Sequence, residues 1–223
     1  MGVEEPARVA TLANALCGYR DSHMNAVLLS LLLAAPDAGV PPQPLIEVVT
    51  RIPDAMVDLR YATPDNFMGK AVYPSSARCL LLDKSLKQLE SAAKVLRGQG
   101  FRLRLYDCYR PHHVQYELWK VLPKPGYVAD PKTGSNHNRG GAIDLSLVQL
   151  DGGTVEMPSP YDFFGRAAHH SFDGGTPEAR KNRQTLKAAM TGAGFTINSM
   201  EWWHYDLPDA KRFPLRDEPF SAP

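Results

Sequence analysis

The sequence lacks an excess of charge of either sign: 25 Lys and Arg stand against 24 Asp and Glu, a net charge of +1 at pH 7. Without a broad basic field, neither nucleic acid nor an anionic membrane surface is the expected partner. Cysteine is scarce, with Cys17, Cys79 and Cys108 in 223 residues. Three cysteines without paired short spacings exclude a zinc ribbon and a disulfide-rich scaffold, so any metal must be held mainly by His and carboxylates. The apolar run AVLLSLLLAA at 26–35 is too short for a bilayer span, which needs about 20 residues. No GxxxxGK[ST] loop is present to cradle a nucleotide.

The run at 26–35 does have the length of a signal-peptide core, followed by Pro36 and a turn-rich stretch. A positive segment ahead of it is missing: Met24 leaves only Asn25 before the run, and from Met1 the acids Glu4, Glu5 and Asp21 accompany Arg8 and Arg20. Two readings stay open, an exported or periplasmic protein and a cytoplasmic one with an N-terminal extension over 1–42. Residues 43–223 read as one domain, with no internal repeat and no low-complexity linker.

Within that domain, IEVV at 46–49 predicts a strand. Leu86, Leu89, Ala93 and Leu96 recur at helical spacing before Gly98 and Gly100, which predicts a helix over 82–96. FRLRLYD at 101–107 alternates with period two and predicts a strand; a second helix starts after Pro111 and covers 112–122. AIDLSLVQL at 142–150, the turn Asp151-Gly152-Gly153 and the run 154–157 predict a hairpin. A third helix is expected from Pro177 to Met190, with FTINS and WWHYDL supplying two more strands. Hairpins mixed with helices, in place of repeated βαβ units, predict an α+β fold with a mixed, largely antiparallel sheet and packed helices.

Two segments carry the chemistry, SNHNRGGAIDLS at 135–146 and MEWWHYD at 200–206. They offer His137, Asp144 and His204 as ligands and Glu201 as an acid or base, a set suited to a three-ligand zinc site with one open position. On a straight strand His137 and Asp144 would lie roughly 23 Å apart at about 3.3 Å per residue, so the chain must fold back between them. Gly140-Gly141 supplies the permissive backbone for that reversal. Glu201 and His204, three apart, point to opposite faces of a regular strand, which predicts a bend or bulge at Trp202-Trp203. Arg110 follows the strand 101–107, and Pro111 biases it toward extended backbone; its guanidinium could stabilise an oxyanion, or simply pair with Asp107. The adjacent pairs His112-His113 and His169-His170 diverge in either regular structure and are expected at the surface or behind the ligands. Cys79 and Cys108 could pair in an exported protein, or be buried small hydrophobes.

SNHNRGGAIDLS, EWWHY, YDCYRP and DLRYATPDNFMGK together resemble the zinc D-alanyl-D-alanine dipeptidases of the vancomycin-resistance type, within the wider zinc DD-peptidase family. The resemblance spans about residues 45–210 and follows the family's motif order. It implies an α+β catalytic domain holding one zinc ion through His137, Asp144 and His204, with Glu201 as base and proton donor and Arg110 stabilising the transition state. It further implies that Tyr61, Ser135 and Asp162 line the pocket for a small D,D-dipeptide, with Asp162 suited to a free ammonium group. The implied activity is hydrolysis of D-Ala-D-Ala in cell-wall metabolism. The alternatives are a zinc DD-carboxypeptidase or endopeptidase acting on peptidoglycan stem peptides, and a zinc-stabilised binding module without turnover. An intact Glu201 and Arg110 argue against the last, since a structural site has no use for a base.

Overall fold

The computed structural model of the protein describes residues 40–220. The apolar run 26–35 and Cys17 lie outside the described residues. Ten regular elements follow in order: β1 (Leu45–Glu47), β2 (Met56–Val57), β3 (Leu80–Leu82), α1 (Asp83–Arg97), β4 (Phe101–Asp107), α2 (His112–Val121), β5 (Ala142–Gln149), α3 (Pro177–Gly192), β6 (Thr196–Asn198) and β7 (Glu201–Asp206). A five-stranded sheet has the order β2-β4-β5-β7-β6, and β1 pairs with β3 in a separate ribbon. Only β2 and β4 run parallel in the five-stranded sheet; its other neighbours are antiparallel. The α+β expectation therefore holds.

The elements form where the side-chain periods demand them. In α1, Leu86, Leu89, Ala93 and Leu96 are buried on one stripe, with Asp83 in the first turn and Lys94 and Arg97 in the last, matching the helix dipole. In α3, the Thr176 hydroxyl accepts from the Ala179 N–H at 3.0 Å and Pro177 occupies the first helical position. Both helices pack with the central strands in one core that includes Leu86, Leu89, Leu103, Leu105, Ile143, Leu145, Leu186 and Met190. At roughly 25 cal/mol per Å² of apolar surface, such side chains supply the main favourable contribution to folding.

The same alternation that sends Ile143 and Leu145 into this core aims Asp144 at the opposite face of β5. Asp144 pairs in register with Asp107 of β4 on one side and His204 of β7 on the other. The centre of the sheet thus presents acids and imidazole from three adjacent strands at one place.

Two expectations need correction, and one open question closes. The strand at IEVV ends at Glu47, because Val48–Thr50 close a 3-10 turn while Val48 N–H donates to the Cys79 carbonyl at 2.9 Å. The hairpin after β5 does not form: the Asp151-Gly152-Gly153 turn is present, but Thr154 makes only an isolated bridge to Val148. Val155 and Met157 still pack on the core, from irregular chain leading to Pro158 and Pro160. Of the two readings left open for Cys79 and Cys108, the structure has the disulfide, with Cα atoms 5.1 Å apart.

Candidate metal centre and cleft

The reversal between His137 and Asp144 is built from local geometry. His137–Arg139 form a 3-10 turn, and Gly140 ends it at φ +70°, in the left-handed region. A Cβ at Gly140 would also meet Leu45 at 2.4 Å and the Leu82 backbone nitrogen at 3.3 Å, so only glycine fits. The chain then enters β5, and His137 faces Asp144 across the turn.

The three predicted ligands converge. His137 Nε2 lies 3.2 Å from His204 Nδ1 and 3.3 Å from Asp144 Oδ1, while His204 Nδ1 lies 2.9 Å from the same oxygen. Each donor atom is selected by what the rest of its side chain does. His137 Nδ1 is 2.7 Å from the Cys108 carbonyl and His204 Nε2 is 3.0 Å from Asp206 Oδ1, so each ring gives its N–H outward and turns its other nitrogen inward. Tyr161 Oη donates to Asp144 Oδ2 at 3.0 Å, leaving Oδ1 for the cluster. These residues could hold a metal ion.

Electrostatics point the same way. Burial opposes a charged His204, but Asp206 and Asp144 outweigh it and push its pKa well above the ordinary 6.5. Burial would raise Asp144, yet His137 and His204 hold it below the usual carboxylate range. The negative charge that favours a proton on this imidazole also attracts a metal cation, which would replace that proton.

The predicted bend in β7 is present. β6 pairs Ile197 with Tyr205 but the next residue, Asn198, with Glu201, so Trp202, Trp203 and His204 have no partner in β6. As a result Glu201, Trp203 and His204 all line one cleft, while Trp202 turns away and donates to Ser159 Oγ at 3.0 Å. Glu201 is 5% exposed, and burial, with Asp144 and Asp162 adding to it, raises its pKa to about 8. Asn198 Nδ2 donates to Glu201 Oε2 at 2.7 Å and to the Gly126 carbonyl at 3.0 Å, which fixes one carboxylate oxygen and leaves the other.

Arg110 pairs with Asp107 and lines the cleft. Its Nε and one terminal nitrogen donate to Asp107 Oδ2 at 3.0 and 2.6 Å, and the other donates to Gln115 Oε1 at 2.7 Å. A guanidinium has five N–H groups, so two remain for a ligand. The Tyr61 ring lies against it, centroid 5.3 Å from Cζ.

Tyr61, Ser135 and Asp162 line the same cleft, whose volume is about 580 Å³. Ser135 Oγ accepts from the His137 N–H at 3.2 Å. Asp162 sits at φ +59°, accepts from Tyr61 Oη at 3.3 Å and from the Phe67 N–H at 3.2 Å, and is raised to about 7 chiefly by burial. Such a carboxylate is poised to accept a cation. All eight residues singled out from the sequence therefore share one cleft.

Other site residues escaped the sequence. Asp206 could have been found from period two, standing two residues beyond His204 on one strand. Tyr161 adjoins Asp162, and Asn198 precedes Glu201 by three, but nothing in their spacing marks them. The histidine pairs do diverge: His113 meets Asp217 at the surface, His112 the Pro131 carbonyl and His169 the Tyr127 hydroxyl. His170 is a correction, since its ring nitrogens are buried without a hydrogen bond and burial lowers it to about 4.

The family model described as D-ala-D-ala dipeptidase matches residues 43–222. The chain is 40% identical over 178 residues to the D-alanyl-D-alanine dipeptidase of Escherichia coli K12, covering 80% of this chain and 92% of that protein. It is 35% identical over 186 residues to the D-alanyl-D-alanine dipeptidase of Enterococcus faecium, covering 73% and 87%. With that of Streptomyces coelicolor it shares 31% identity over 186 residues, covering 74% and 91%. His137, Asp144 and His204 converge on one point in a cleft that Glu201 also lines, and the chain belongs to the D-ala-D-ala dipeptidase family.

Proposed function

We propose that the protein hydrolyses the free dipeptide D-Ala-D-Ala to two D-alanines at a zinc ion held by His137, Asp144 and His204. The observation that carries this reading is the donor triangle. Its sides of 2.9, 3.2 and 3.3 Å come close to the about 3.3 Å edge of a tetrahedron with zinc–ligand bonds of about 2.0 Å. Two imidazoles and a carboxylate are also a donor set that suits zinc. Bound zinc would supply a Lewis acid that acidifies a water and polarises the scissile carbonyl.

The chain's own groups do the rest. Glu201, through the carboxylate oxygen that Asn198 does not hold, takes the proton of the attacking water and passes it to the departing amine. Its place in a buried cleft favours holding that proton between the two steps. Arg110, clamped by Asp107 and Gln115, turns its remaining N–H groups toward the carbonyl oxygen as negative charge develops there. Asp162 and Tyr61 receive the substrate ammonium, and Ser135 lies beside His137 to contact the substrate. A blocked amine would leave the half-buried Asp162 without its cation, which favours the dipeptide over a stem peptide.

Glu201→Gln should retain zinc while kcat for D-Ala-D-Ala falls about 10²-fold or more. The wild type should release D-alanine from the free dipeptide and not from its N-acylated form. Equal cleavage of the acylated form would move the activity to a carboxypeptidase of peptidoglycan stems, and full activity of Glu201→Gln would remove Glu201 from the mechanism.

Titration gives an independent check on the metal-free protein. Glu201 at about 8 against an ordinary 4.5, Asp162 at about 7 against 3.8, and His204 raised above 6.5 all bind protons more tightly folded than unfolded. Their contribution to stability is present at low pH and is lost as pH rises through the folded values. His170, lowered to about 4, acts oppositely but only below 6.5. Between pH 6.5 and 8 the melting temperature of chelated protein should fall, and more shallowly in Glu201→Gln. A rise over that interval would contradict the assigned environments.

Export to an oxidising compartment belongs to the same proposal, supported by the Cys79–Cys108 disulfide and by the apolar run at 26–35. Recovery of the native protein in the cytosolic fraction with both cysteines as free thiols would overturn it.

A further inference from the structure

The Cys79–Cys108 disulfide takes no part in the steps above, yet it touches the groups that do. Cys79 stands just ahead of β3 and Cys108 just beyond β4; the bridge closes 29 residues of sequence, and both cysteines are 1% exposed. The peptide groups of Cys108 serve two parts of the site. Its carbonyl faces His137 Nδ1 at 2.7 Å, and its N–H donates to Asp107 Oδ1 at 2.9 Å. Through its other oxygen Asp107 holds Arg110.

The sheet ladder is irregular at this point. The β4–β5 register shifts between Leu105 and Asp107, so the ladder that fixes the rest of β4 is irregular where the chain reaches Asp107 and leaves for Cys108. Beyond it, Tyr109 N–H donates to the Leu80 carbonyl at 2.9 Å and Arg110 N–H to the His137 carbonyl at 3.1 Å. On the other side of the bridge, the Cys79 carbonyl is held by the Val48 N–H. The covalent tie therefore falls at Cys108, between the register shift in the ladder and Arg110.

We infer that the disulfide is a positioning device: by pinning the Cys108 peptide it holds the His137 imidazole with Nε2 toward Asp144 and His204, and holds Asp107 against Arg110. This rests on the reading of His137 as a metal ligand. The bridge forms by exchange with an oxidised dithiol partner, whose disulfide is reduced to two thiols as the two cysteine thiols here are oxidised. A bridge that acted only on the unfolded chain would change the melting temperature and leave metal affinity alone. A bridge that positions His137 changes the affinity of the folded protein.

The test uses the full chain in two bridge-free forms, Cys79→Ala with Cys108→Ala, and the wild type refolded with a phosphine reductant that is removed before zinc is added, its thiols counted by alkylation of a sample. Zinc affinity is measured by competition with a chelator, with the ¹⁵N shift of His137 Nδ1 as a second readout. The expected result is a cooperative fold, a zinc affinity about 10- to 100-fold weaker than that of the bridged protein, and a displaced His137 signal. Zinc affinity within twofold of the bridged protein, with only the melting temperature lowered, would overturn the inference. Unfolding of both bridge-free forms would also overturn it, making the bridge a staple for the whole fold. Failure of the bridged wild type to bind zinc would overturn the metal reading and this inference with it. The affinity readout needs no substrate, so a failure of the dipeptidase reading alone would be visible separately.

Discussion

Negative charge packed around one cleft is the constraint on which the rest of the structure depends. Asp107, Asp144 and Glu201 are almost wholly buried, with Asp162 and Asp206 beside them. Arg110, the buried cation of the group, is already engaged by Asp107. Isolated carboxylates in such surroundings either protonate or acquire a cation. Glu201 and Asp162 show the first response, with pKa values raised to about 8 and about 7. Asp144 and Asp206 show the second, held ionised against burial by the imidazoles. A metal ion at the donor triangle and a substrate ammonium at Asp162 would supply the charge that the site is built to receive.

Precision in that site comes from backbone more than from loops. Asp144 and His204 are register partners on adjacent strands, so the ladder itself sets their separation. His137 reaches them only because Gly140 adopts a left-handed conformation in a space too small for a side chain. The irregularity in β7 then lets Glu201 and His204 share one cleft despite their odd spacing. Each departure from regular structure places one chemical group.

That His137, Asp144, His204 and Glu201 come together was legible in the sequence because their spacings conflict with regular geometry unless the chain bends where glycine, or a strand bulge, allows it. The presence of Tyr61, Ser135 and Asp162 in the same cleft was legible only through the family's motif order, since no spacing links them to His137, Asp144 and His204. Groups that act through the backbone were not legible at all: the partner of His137 is the Cys108 carbonyl, which has no side-chain identity. The disulfide was open for a related reason, because 29 residues separate its halves and only the fold brings β3 and β4 together. Helices and long strands followed their periods closely, whereas the run 154–157 was too short for its alternation to separate a strand from irregular chain packed on the core.

The most direct test of the central claim is a zinc titration of chelated protein, following D-alanine release from D-Ala-D-Ala as metal is added. If the buried carboxylates and imidazoles are organised around one catalytic cation, activity rises in proportion to zinc and levels off at one equivalent per chain. Full activity before any zinc is added, or none at saturation with one ion bound per chain, would contradict the account.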